Sequence, residues 1–272
     1  MQLSPDQFPG ARPSQMVMEG ADRYRKKMGI TSPVLNSATS FVPPSASRAM
    51  GQAYDNLQDG RNDPETQAAY RQLSDHIGRQ YDHMTAPTSK GGMGIDVDES
   101  MEDPYGNPYH GVADQLVRRI GQDVENNHHI TVLSTNATGG RPYGGLTPQR
   151  NTELRAVHDV MGHVAAGRAV DSGGEEAAYQ SHASLFPPET HRALSTEFRG
   201  QYHGMLQDQQ FRIPKMGLMP ANLSDPHKLP MKPGEDISGA LIKAHQQNAR
   251  FGMLPDEELK GANPQRGAGD WD

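Results

Sequence analysis

His158 and His163 stand five residues apart in the segment RAVHDVMGHVAAGRAV (155–170), with Asp159 and Gly162 between them. A neutral imidazole nitrogen is a strong ligand for transition-metal ions, so a close histidine pair near carboxylates is a pattern that can hold a metal. The helix of a zinc peptidase spaces its two histidines four apart, one turn, with a glutamate after the first. Here the spacing is one residue longer and the acid is Asp159. On an ideal α-helix five residues rotate the side chain by roughly 140°, which points the two rings apart. Both can face one ion only where the helix ends or distorts between them. Gly162 sits at that place, and a glycine at a helix C-terminus permits such a turn.

Between His158 and His203 the chain also carries Glu175, Glu176, His182, Glu189, His191 and Glu197. A lone histidine is most often a hydrogen-bonded or surface residue; it is the density of this stretch that singles it out. Asp159 and Glu175 are the candidate catalytic carboxylates. Asp159 stands where a zinc peptidase has its glutamate but is one carbon shorter, so it reaches a metal-bound water less easily. Glu175 and Glu176 open a predicted helix, where the helix dipole favours a carboxylate. Glu175 or His182 can instead complete the metal site or support it from behind a ligand. His128, His129 and His203 read as structural.

The elements around these residues follow from periodicity. Tyr70, Leu73, Ile77 and Tyr81 recur at three and four after Pro64, predicting a helix to about Met84. Val112, Leu116, Ile120 and Val124 predict a second helix, and HITVLST (129–135) is the best strand by its β-branched content. Leu154, Val157, Met161 and Val164 make the apolar stripe of a helix opened by Asn151 or Thr152, with the histidine pair at its end. Further helices are predicted from Gly174 and over about 188–205. The acidic stretch from Asp96 to Gly111 reads as turns. The fold class expected is mainly α with a minor β strand or hairpin. Residues 64–220 form a single helical core; 1–63 form an extended polar arm with a short helix near Met16–Met28. Residues 221–272 form a Pro/Gly-rich arm with one short helix at 237–250.

Composition narrows the function classes. The chain has 272 residues with 34% hydrophobic content, 29 glycines and 21 prolines, so core-building material is scarce and concentrated. Its net charge of −7 lacks the footprint of a general nucleic-acid binder. The absence of cysteine limits any metal site to histidine, carboxylate and water. With neither an apolar run of membrane length nor a signal-peptide layout at the N-terminus, the expectation is a soluble protein, cytoplasmic at synthesis. The arms point to a homo-oligomer or a larger assembly.

HDVMGHV resembles the iron-ligand motif of the aromatic amino acid hydroxylases, whose bacterial members carry His-Asp-x-x-Gly-His-Val. That family draws its third ligand from a glutamate in Val-Glu-Phe-Gly, on a later helix. Here the corresponding block is STEFRG, so the resemblance implies a metal site of His158, His163 and Glu197. Arg199, an arginine beside that carboxylate, reads on its own chemistry as an ion-pair anchor. Two histidines and one carboxylate on ferrous iron leave positions open for oxygen and substrate. The resemblance implies Fe(II) and an oxygenase or hydroxylase-type reaction with an unassigned organic cosubstrate; Zn and a hydrolytic reaction are the alternative. The blocks EDPYGNP, RAVHDVMGH, GEEAAYQSH, TEFRGQ and KMGLMP also look like an uncharacterised family found in phage and phage-like proteins, covering roughly residues 100–220. That resemblance implies a phage origin. The N-terminal arm, the Gly/Pro-rich tail and the low hydrophobic content fit a second class of function, a virion or assembly protein whose arms wrap neighbouring subunits without turnover.

Overall fold

The longest described helix begins at a built cap: the Asp63 carboxylate accepts the Thr66 backbone N–H at 2.8 Å, and Pro64 occupies the first turn. In the computed structural model the described residues are 13–31, 42–106, 113–138, 144–168, 170, 172–208, 210 and 212–226. They form a mainly helical structure: α1 (Gln15–Lys27), α2 (Pro44–Asn56), α3 (Pro64–Thr85), β1 (Asp96–Ser100), α4 (Ala113–Asn127), β2 (His129–Leu133), α5 (Pro148–His158), α6 (Ser172–Ala183), α7 (His191–Ser195), α8 (Gln201–Asp208) and α9 (Ala221–Ser224).

The predicted stripes are the buried faces. Tyr70, Leu73, Ile77 and Met84 of α3 meet Val124 and Ile120 of α4 and Leu154, Val157 and Met161 of the α5 segment in one core. Methionines fill gaps in it, with Met84, Met93 and Met161 all buried. The strand at 129–135 is found at His129–Leu133, but its partner makes no hairpin. β1 pairs with it in parallel, Asp96 opposite His129 through Ser100 opposite Leu133, with α4 as the crossover. β1 has the sequence DVDES, which the acidic, turn-rich reading missed because four of its five side chains are polar.

The N-terminal segment is not an arm over its described length. α1 matches the short helix expected there, but it is docked: Val17, Ala21 and Tyr24 are buried in the main core, and the Ser14 N–H donates to the Val164 carbonyl at 3.0 Å. α2 is a further helix whose Ala46, Met50 and Tyr54 form a second cluster with Val42, Met219 and Leu223. That cluster also brings Met219 and Leu223 inside, the latter beyond the expected end of the core at 220. The apolar positions are spaced as the helical period requires but are diluted by Pro, Ser and Gly, which hid them. The expected helix at 237–250, with the rest of 227–272, lies outside the described residues.

No described helix is long and apolar enough to cross a membrane.

Candidate metal centre

The five-residue histidine spacing is resolved by backbone geometry. α5 starts earlier than Asn151, at Pro148, with Thr147 capping through its hydroxyl, which accepts from the Arg150 N–H at 3.2 Å. It does not end at Gly162. From Asp159 to Val164 it widens into a π-helical turn and then continues to Ala166. Hydrogen bonds running five residues back bring residues five apart onto one face, as four does approximately in an α-helix. The His158 and His163 rings therefore meet edge to face, with centroids 5.0 Å apart. The C-terminal glycine is Gly167, at φ +63°, whose N–H returns to the His163 carbonyl at 2.8 Å.

Gly162 serves packing instead. A Cβ there would lie 3.1 Å from the Ala178 carbonyl oxygen and 3.2 Å from both the Ala178 Cβ and His158 Nδ1. That closeness lets α6 press onto the widened turn. The Ser181 hydroxyl of α6 donates to the Met161 carbonyl at 2.9 Å, tying α6 directly to the widened turn.

α6 then delivers the carboxylate. His158 Nε2, His163 Nε2 and the Glu175 oxygens converge, with candidate ligand atoms from all three residues within 4.8 Å of one another. His163 Nε2 lies 3.5 Å from Glu175 Oε1, and His158 Nε2 lies 3.8 Å from Glu175 Oε2. His158 is 6% and His163 2% exposed, and His158 Nε2 is buried with no hydrogen-bond partner among the described residues. The other ring nitrogens face outward: His163 Nδ1 lies 3.1 Å from the Arg168 carbonyl, and His158 Nδ1 lies 3.3 Å from His182 Nδ1. Phe198 stacks on the His158 ring at 3.9 Å, sealing its far face from water.

The local electrostatics separate the two rings. Burial pushes His158 down to about 4. Burial opposes the charged form of His163 as well, but the adjacent Glu175 carboxylate outweighs it and lifts that ring to about 9. Burial disfavours the Glu175 carboxylate, yet His163 and His158 beside it hold it well below the usual carboxylate range. Burial pushes Asp159 up to about 6. Asp159 is partly exposed, within electrostatic reach of His163, Glu175 and Arg155 but outside the converging set.

Glu197 is placed elsewhere. Its Oε1 accepts the Tyr70 hydroxyl of α3 at 2.7 Å, and burial pushes it up to about 7. It sits in a second π-helical turn, Thr196–Gly200, that joins α7 to α8, and it is Phe198 of that turn that reaches His158. Of the two-histidine, one-carboxylate set drawn from STEFRG, the structure brings the histidines together and puts Glu175 beside them. Glu175, expected as a catalytic group or a support, occupies the ligand-like position; Glu197 does not.

Glu176 takes the opposite direction from its neighbour. It forms a two-pronged ion pair with Arg199, Nε to Oε2 at 2.9 Å and a second contact between NH2 and Oε1. Arg199 also donates to the Leu223 and Asp225 carbonyls at 3.0 and 2.9 Å and lies 4.2 Å above the Tyr179 ring. Arg199 is thus an ion-pair anchor, with Glu176 rather than Glu197 as its partner. It ties α6, and so Glu175, to the segment bearing Phe198. A void of about 10 Å³, the volume of one water, lies among Glu175, Glu176, Phe198, Arg199, Tyr202 and His203.

His203 is structural, its Nδ1 3.0 Å from the Ser47 hydroxyl, and His129 pairs with Asp123 and Asp98 at 2.9 and 3.2 Å. Phe198 and the Arg168 carbonyl were not legible as site groups; the only signal for Phe198 was its place beside Glu197. No protein-family model, curated protein or solved structure significantly matches the chain.

Proposed function

We propose that the chain is a mononuclear non-haem metalloprotein in which His158, His163 and Glu175 hold a divalent ion, with ferrous iron and an oxygenase-type oxidation as its chemistry. The observation that carries this reading is the bare Nε2 of His158, buried and unbonded, facing a carboxylate 3.8 Å away and beside a second Nε2. A buried polar atom without a partner is costly, and a cation held between His158, His163 and Glu175 would satisfy His158 Nε2 while taking the place of the His163 proton that otherwise faces Glu175. Ligand atoms each about 2.1 Å from one ion lie roughly 3–3.5 Å apart, close to the separations seen here.

The donor set fits the ion: two neutral imidazoles and one carboxylate suit iron in oxidative sites and zinc in hydrolytic ones. When bound, such an ion supplies open coordination positions at which a redox-active metal can activate dioxygen. The chain's own residues do the rest. Glu175 offsets the ion's charge, the Glu176–Arg199 pair holds its helix in place, and Phe198 excludes water from one side of His158. Asp159, at the more exposed margin, is placed to hold or release a proton near the ion. The preference for iron over zinc comes from the HDVMGHV resemblance.

The test is elemental analysis of purified protein beside a His158→Ala, His163→Ala double variant, followed by anaerobic loading with Fe(II) and measurement of oxygen uptake. The reading expects about one ion per chain in the parent and none in the variant. Equal metal in both ends it, and retention of zinc alone moves the assignment to a hydrolase.

A further inference from the structure

We infer that Gln80 and His182 are positioning residues for His158: a buried hydrogen-bond chain starting at the Leu185 carbonyl holds the His158 proton on Nδ1 and keeps the Nε2 lone pair free for an ion. The inference rests on the metal-site reading above and identifies how that site is kept ready.

The direction of each bond follows from donor and acceptor inventory. A backbone carbonyl only accepts, so at 3.3 Å from Leu185 O it is the Gln80 amide nitrogen that donates. This fixes the amide orientation and turns Gln80 Oε1 toward His182 Nε2, 2.7 Å away. An amide oxygen also only accepts, so His182 carries its proton on Nε2. A neutral ring has one such proton, which leaves His182 Nδ1 as an acceptor. The group facing it at 3.3 Å is His158 Nδ1, which must therefore donate. Its other nitrogen, Nε2, is then left bare, in agreement with its lack of any hydrogen-bond partner among the described residues.

Position in the fold makes the chain decisive. Gln80 and His182 are 0% exposed and His158 is 6% exposed, so water does not compete for any link. Local chemistry alone favours the opposite tautomer, because a proton on His158 Nε2 would point toward the Glu175 carboxylate. That proton would occupy the position an ion needs. The chain from α3 through α6 works against this preference, whereas His163 needs only the single Arg168 carbonyl. An acceptor behind a ligating histidine is a general means of setting its tautomer and strengthening its affinity. Here it is built from a residue 102 positions away from His182 in sequence.

The experiment is ¹⁵N NMR of the histidine rings in the full, metal-free chain, with titration of Zn(II) and of Fe(II) under anaerobic conditions, on the parent and Gln80→Met. We expect the parent's His158 to show a protonated Nδ1 and an unprotonated Nε2. Gln80→Met, which keeps length but removes the acceptor, should shift His158 toward Nε2–H and weaken metal binding by roughly 10- to 100-fold. A His182→Asn variant, whose amide oxygen can still accept from His158, should lose less affinity than His182→Leu. A protonated Nε2 in the metal-free parent overturns the inference, as does Gln80→Met binding metal as tightly as the parent. If Gln80→Met does not fold, the parent spectrum and the His182 pair decide. A parent that binds no metal refutes the metal reading, while the ring spectrum still judges the hydrogen-bond chain by itself.

Discussion

His158 and His163, which an ideal α-helix would point roughly 140° apart, lie edge to face with ring centroids 5.0 Å apart. The π-helical turn from Asp159 to Val164 is what brings them together, and it persists because α6 packs directly on it. Wide turns of this kind are rare inside α-helices and frequent at functional sites.

The packing of that turn makes Gly162 a sensitive position. By helix propensity alone, Gly162→Ala should gain up to about 1 kcal/mol. The added methyl would instead lie 3.1–3.2 Å from the Ala178 backbone and Cβ and from His158. The expected outcome is a loss of about 1–3 kcal/mol in urea denaturation, as for an overpacked core. A more stable variant would show that α6 is not held against the turn as described.

The Glu176–Arg199 pair is fully buried, with side chains 0% and 1% exposed. Removing one member leaves the other charged and without its counterion. Arg199→Met should cost about 3–5 kcal/mol, and the double change Glu176→Gln, Arg199→Met should recover much of it. A double-mutant cycle in chemical denaturation measures this coupling; simple additivity of the two single changes would contradict it.

Acid should destabilise the protein partly through His203. Burial lowers this ring to about 3, against about 6.5 in an unfolded chain. Between those values the unfolded state binds the extra proton, so the contribution is present above about pH 6.5 and is lost as pH falls toward 3. His203→Asn should flatten the stability profile between pH 6 and 4 by about 1.4 kcal/mol per pH unit. An unchanged slope would mean that the native state protonates His203 readily.

Much of the helical framework can be read from the chain because apolar spacing of three and four reports burial directly: Tyr70, Leu73 and Ile77 of α3, and Ile120 and Val124 of α4, all face the core. β1 cannot, since Asp96, Asp98, Glu99 and Ser100 advertise a loop and its pairing with β2 is made by the backbone. In the site, the histidine pair and the need for a distortion near Gly162 are legible. The form of the distortion is not, because Leu154, Val157, Met161 and Val164 continue an α-helical period straight through it. The choice between Glu175 and Glu197 is likewise tertiary. It depends on α6 docking on the turn and on Tyr70, 127 residues before Glu197, taking that second carboxylate. Gln80 carries no local mark at all.

The central claim is that Glu175, and not Glu197, completes the site with the two histidines. Metal content and affinity measured side by side for the parent, Glu175→Gln and Glu197→Gln test it directly, since glutamine at 197 can still accept from Tyr70. The account predicts about one ion in the parent and in Glu197→Gln, and at least a 100-fold loss of affinity in Glu175→Gln. Full binding by Glu175→Gln, or its loss only in Glu197→Gln, would contradict it.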